Sequence, residues 1–232
     1  MRFSQEVGRG AADGLDLPGE IVSALDWLED AGAVEHFNAL SRKTDARYAT
    51  LYPKAANVEE AAQSLVTFQA FEDFYYEYAN ASVAEVRSRI FFFARTGGDG
   101  SHAGLWRDDN GAQQFVHVGS GSGSIWGGVI TDNAVDFLRF LAIGYPEPAF
   151  DETHNRTVEE AWLENMGYAS IDEAMEEGEV PPVPPSDFQS FLSTAFSVSV
   201  PSRASEIVKQ PVPDFDNLRG DPFAHWLRHI SG

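Results

Sequence analysis

No cysteine occurs among the 232 residues. That excludes a disulfide framework and any thiolate metal site, and it points to a reducing, cytoplasmic setting. Cations are scarce as well: 16 Lys and Arg stand against 36 Asp and Glu, a net charge of −20. Affinity for phosphate backbones comes from Lys and Arg, so direct binding of nucleic acid is not expected. Long apolar runs are also missing. No stretch approaches the roughly 20 residues that cross a bilayer, and residues 1–16 are polar and Gly-rich where a signal peptide would be apolar. The composition predicts a soluble protein with no membrane partner. It contains no internal repeat.

What is present is a globular composition, 43% hydrophobic and 12% aromatic, at a length suited to one domain with an elaborated tail. The most informative stretch is 86–143. Ile90-Phe91-Phe92-Phe93-Ala94 reads as a buried strand that enters through the alternating residues 86–89. Thr96-Gly97-Gly98-Asp99-Gly100-Ser101 is a glycine turn, followed by a strand over 102–107. Asp109-Asn110-Gly111 supplies residues that tolerate positive φ, so a hairpin leads into a strand over 114–118. A second glycine loop, containing Gly119, Gly121 and Gly123, precedes a strand over 125–130. Asn133 then caps a helix that Gly144 ends.

The flanks read differently. Residues 1–19 suggest a loosely packed start, then Pro18 opens a helix over 20–30 that stops at Gly32. Residues 34–40 read as a short helix, with His36 a surface or packed histidine, and 48–53 as irregular. Asn57 and Glu60 resemble a capping box, predicting the longest helix over 58–78 with Leu65, Phe68, Phe71, Tyr75 and Tyr78 on one core stripe. In the tail, Thr157 with Glu160 caps a helix to 166, and 171–177 forms a short acidic helix. The proline run 181–185 reads as an extended linker that could hold that helix away from the body. Ser186 or Asp187 caps a further helix carrying Phe188 and Leu192. Asp221-Pro222 opens the last helix, which docks through Phe223, Trp226, Leu227 and Ile230.

Several constellations invite chemistry. Ser101, His102 and Asp99 are the residue types of a hydrolytic triad, but neighbours on a strand point to opposite faces. His102 and His117 could face each other across the hairpin and, with Asp99, supply metal ligands. His225 and His229 have the i, i+4 spacing of zinc sites but lack a third ligand, and read as surface residues. Neither glycine loop has the lysine or the strand-to-helix context of a phosphate-binding motif. Their N–H groups could form an anion nest. The favoured reading is structural: Thr96, Gly97, Gly98, Gly100, Gly119, Gly121 and Gly123 shape tight backbone paths, and Asp99 bonds nearby N–H groups. No metal or cofactor is expected.

Charge is displaced. Residues 86–143 are neutral, whereas 147–187 hold twelve acids and one Arg, a net −11. Such a segment either solubilises or attracts a basic partner.

The segments Phe92–His102, Val116–Ser124 and Ala134–Tyr145 resemble bacterial proteins of the Smi1/Knr4 type, the SUKH superfamily. The resemblance implies an α+β fold: one curved, mainly antiparallel sheet flanked by helices, here with a helical C-terminal extension. The chain is read as a single domain of this kind over 1–232, with N-terminal helices at 19–80, a sheet and motif core at 86–145 and an acidic, Pro-containing helical extension at 146–232 packed on the core; residues 57–78 and the long tail depart from the family's common pattern. The resemblance also implies a non-enzymatic protein-binding module, an immunity protein that neutralises a toxin such as a nuclease. The expected binding residues are Asp99, Ser101 and His102 at the turn, and Asp172, Glu173, Glu176 and Glu177 on the acidic helix. The alternative is a small-ligand-binding protein or metal-dependent enzyme using the loops at 96–102 and 119–124.

Overall fold

A strand that is apolar at every position must be covered on both faces, and residues 90–94 dictate how this molecule is layered. In a computed structural model, which describes residues 1–12, 14–36, 46–120, 126–148, 153–208, 213 and 217–232, that strand is β4 (Ile90–Arg95). It is the middle of an open seven-stranded sheet: β1 (Val34–His36), β2 (Arg47–Thr50), β3 (Thr67–Gln69), β4, β5 (His102–Arg107), β6 (Gln113–Val118) and β7 (Gly127–Thr131). Each strand pairs antiparallel with its sequence neighbour. Phe91 and Phe93 enter a core on one face, and Ile90 and Phe92 enter a second core on the other. Each fully buried Phe contributes on the order of 2–3 kcal/mol. The fold is α+β, as expected.

The first core lies under α1 (Phe3–Gly8), α2 (Gly19–Asp30), α4 (Ala134–Ala142) and α7 (Ser186–Phe196). In α4, Phe137, Leu138 and Leu141 are buried, and the Asn133 side chain accepts from the Asp136 N–H. The second core lies under α8 (Pro222–Ser231), through Phe223 and Ile230, and under residues 71–86. Asp221, almost fully buried, caps α8 with one oxygen and accepts the Val129 N–H with the other, tying helix to sheet. No helix among the described residues is long and apolar enough to cross a membrane.

The predicted 58–78 helix does not form. Asn57 has φ 48°, left-handed, and ends a 3-10 turn at Lys54–Ala56 rather than starting a helix. Thr67, Phe68 and Gln69 alternate instead as β3, with Phe68 opposite Ala49 and Ala94. Cross-strand packing overrides the helical reading. Phe68 and Phe71 consequently lie in different cores, and Leu65 is exposed.

Residues 34–36 and 47–50 are strands rather than helix or irregular chain, while 37–40 fall outside the described residues. Residues 83–87 form α3 (Val83–Arg87) instead of entering β4, because the Ser82 hydroxyl accepts the Glu85 N–H at a helix N-terminus. The start of the chain is not loose: Phe3 and Val7 are fully buried, and Arg47 bridges Glu6 and Glu29. The proline run is not a spacer. The Val183 N–H donates to Ala62, the Val183 carbonyl accepts from the Tyr52 hydroxyl, and Pro185 lies against Gly144. Pro185, with no side-chain cap, stands before α7 where Ser186 or Asp187 was expected to cap it.

Candidate functional site

The glycine turn is a closed hydrogen-bonded unit. The Thr96 N–H donates to the Ser101 carbonyl at 2.8 Å, and Gly100 has φ +103°, open to glycine and costly for other residues. Gly98 is not left-handed; its N–H donates to the Glu147 carboxylate at 2.9 Å. Asp99 accepts from the Ser101 N–H (2.8 Å), the Ser101 hydroxyl (2.9 Å) and the Ser120 hydroxyl (3.0 Å). Partial burial works against its charge, but these donors prevail and hold the carboxyl below its usual range. Asp99 thus joins the turn to the start of the second glycine loop. Gly119 closes the β6–β7 ladder through its N–H to Trp126, and Gly121 and Gly123 lie outside the described residues.

The Ser101 hydroxyl is spent on Asp99, and Ser101 is fully buried. His102 does not reach it. Its Nδ1–H donates to the Gly100 carbonyl at 3.0 Å, and its ring packs edge-on against Phe92 at 4.2 Å. This arrangement is not a triad. Nor do His102 and His117 face each other. His102 pairs with Val118 and Ala103 with His117, so the two rings enter opposite faces. His117 stacks on Trp126 at 4.4 Å, donates from Nδ1 to the Trp126 carbonyl and accepts from the Thr96 hydroxyl at Nε2. Burial pushes both imidazoles down, His102 to about 4 and His117 to about 3, so both are neutral at pH 7. Among the described residues, no three His, Asp or Glu side chains gather as metal ligands. His36, His225 and His229 are exposed.

The open part of the sheet carries a feature that motif reading missed. Over β1–β4 the second face forms the floor of a cleft of about 690 Å³. Two cross-strand rows make that floor: Glu35, Tyr48 and Gln69, then Thr50, Thr67 and Arg95. Residues 53–65 make one wall, and Gly97 and Gly98 make part of the rim. The alternation of Tyr48 and Thr50 about Ala49, and of Thr67 and Gln69 about Phe68, places these polar groups opposite the first core. Arg95 is fixed by the turn: its Nε donates to the Gly97 carbonyl (3.0 Å) and Nη2 to the Gly98 carbonyl (2.8 Å).

A second candidate surface lies on the acidic extension. α5 (Val158–Met166) opens with the Thr157–Glu160 capping box, and α6 (Ile171–Glu176) lies on it with Ala174 fully buried. Asp172, Glu173, Glu176 and Glu177 are exposed, and no Lys or Arg pairs with any of them among the described residues. Met175, between them on the same helix, is 57% exposed. Compared with protein-family models, curated proteins and solved structures, the chain matches none. The two regions named from sequence differ in exposure: at the turn Ser101 and His102 are buried and Asp99 is half-buried, whereas the four acids lie on the surface.

Proposed function

We propose that the chain is a non-enzymatic protein-binding module whose partner is a basic protein, in the manner of an immunity protein that neutralises a toxin such as a nuclease. The observation that carries this reading is the charge on and just after α6: four exposed acids, none paired with a cation among the described residues, around an exposed methionine. Two acids of α5, by contrast, do have cationic partners: Glu160 has Arg203 and Glu164 has Arg156. A flexible apolar centre inside a charged rim suits a protein contact, and the charge speeds encounter with an opposite field. The sequence resemblance of 92–102, 116–124 and 134–145 to SUKH proteins supports the same reading. The spent hydroxyl of Ser101 and the sequestered ring of His102 leave no nucleophile and base in contact there.

The test starts by asking whether a toxin gene lies beside this one and, if so, purifying its product. Association is measured at two salt concentrations for the wild type and for a variant carrying Asp172→Asn, Glu173→Gln, Glu176→Gln and Glu177→Gln. The variant is expected to associate about tenfold more slowly at low salt, with the difference shrinking as the Debye length falls to about 8 Å. Equal rates and equal salt slopes would remove α6 from the binding face.

A further inference from the structure

We propose that the cleft over β1–β4 is a binding site for a small polar oxyanion, a carboxylate or phosphate held by Arg95, with an adjacent hydrogen-bonding group of the same ligand on Gln69. Two independent observations converge. The first is Arg95. In a chain of net charge −20, Arg2, Arg47, Arg87, Arg89, Arg139, Arg156 and Arg203 each pair with a carboxylate. Arg95 pairs with none among the described residues, although it is half-buried. Its guanidinium is oriented by two backbone carbonyls of the glycine turn, and Nη1 makes no hydrogen bond among the described residues. A guanidinium already held in place loses little freedom on binding, and its planar fork matches a carboxylate or phosphate.

The second is Gln69, only 8% exposed, which lines the same cleft with its Oε1 buried and unpartnered among the described residues. Leaving such a group unsatisfied costs on the order of 1–3 kcal/mol, and turning the amide so that Oε1 meets a ligand N–H or O–H in the cleft would recover it. The cleft volume of about 690 Å³ suits a small molecule. Thr50, Thr67, Asn57 and Gln63 make its lining polar, so the ligand class is hydrophilic.

The experiment titrates the whole chain with N-acetylglutamate and, separately, with AMP. Acetate and inorganic phosphate are the bare-ion controls. Binding is followed by calorimetry and by amide resonances of Gly97 and Gly98. Saturable binding of at least one of the two at about millimolar affinity or tighter, stronger than its bare ion, is expected, and which one binds distinguishes carboxylate from phosphate. Arg95→Gln should weaken it about tenfold or more. Thr67→Glu, which sets a carboxylate directly across the strand pair from Arg95, should do the same without removing the arginine. The quadruple α6 variant should bind as the wild type does. Absence of saturable binding by both probes, binding no stronger than the bare ions, or unchanged binding by a folded Arg95→Gln or Thr67→Glu chain would overturn the proposal.

Discussion

Replacing Asp99 by Ala isolates the carboxylate that holds the glycine turn. The wild-type side chain accepts three hydrogen bonds, from the Ser101 N–H, the Ser101 hydroxyl and the Ser120 hydroxyl. Ser101 is fully buried, and truncation takes the acceptor away from both of its donors. At about 1–2 kcal/mol for each stranded donor, the loss is about 2–4 kcal/mol. Ser120 is exposed and rehydrates at little cost. For a chain of this size the melting temperature should fall by about 5–12 °C.

The pH dependence supplies a second readout. The folded carboxyl titrates below its ordinary value of about 4. Its contribution is therefore fully present above that value and is lost as pH falls through the folded pKa. Urea unfolding followed by tryptophan fluorescence at pH 7 and near pH 3 would show the gap between wild type and Asp99→Ala narrowing in acid. A variant within about 0.5 kcal/mol of wild type at pH 7, or a gap that does not change with pH, would refute the assigned role.

Two of the buried imidazoles, His102 and His117, predict a separate acid sensitivity. Both have folded pKa values, about 4 and about 3, below the ordinary 6.5, so the unfolded chain binds more protons as pH falls from 6.5. Stability should drop by up to about 2.7 kcal/mol per pH unit between pH 6 and 4, and His102→Phe should roughly halve that slope; an unchanged slope in the variant contradicts this account of His102. Among the glycines, Gly104→Ala should cost more than about 3 kcal/mol in equilibrium unfolding, because a Cβ there collides with the Phe91 carbonyl and the Phe92 Cα. Gly98→Ala should cost about 1 kcal/mol or less, since its Cβ meets only the Glu147 carboxylate and the exposed Leu65 side chain, and the opposite ranking would defeat the argument.

The legible part of the sequence was the part in which local chemistry and tertiary structure agree. The turns at 97–100 and 109–111, the Asn133 cap and the left-handed Gly144 bound elements β4 to α4 without reference to distant residues. Thr157 with Glu160, and Asp221 with Pro222, mark their helices for the same reason. Residues 58–78 failed because aromatic residues three and four apart satisfy a helical stripe and a strand-plus-turn path equally well. The choice fell to Ala49 and Ala94, which are remote in sequence and flank Phe68 in the sheet. Strands of three residues, such as β1 and β3, carry too few alternations to declare themselves. The cleft was invisible for a related reason. Tyr48, Gln69 and Arg95 come together only through the register of three strands.

The glycine turn, which in sequence invites a catalytic reading, is better understood through what its backbone presents. Asp99 fastens its far side to Ser101 and Ser120, and Glu147 fastens the Gly98 N–H. With both ends held, the Gly97 and Gly98 carbonyls remain as acceptors, and Arg95 occupies them. The turn therefore acts on the cleft by aiming a cation, and its own side chains need not touch a ligand. This separates two effects that a substitution at Asp99 would otherwise confound. Asp99→Ala lowers stability through Ser101, whereas its effect on the cleft passes through the positions of two carbonyl oxygens. A loosened turn frees the guanidinium to move, which raises the entropy lost on binding and weakens an oxyanion complex without removing any group that contacts it.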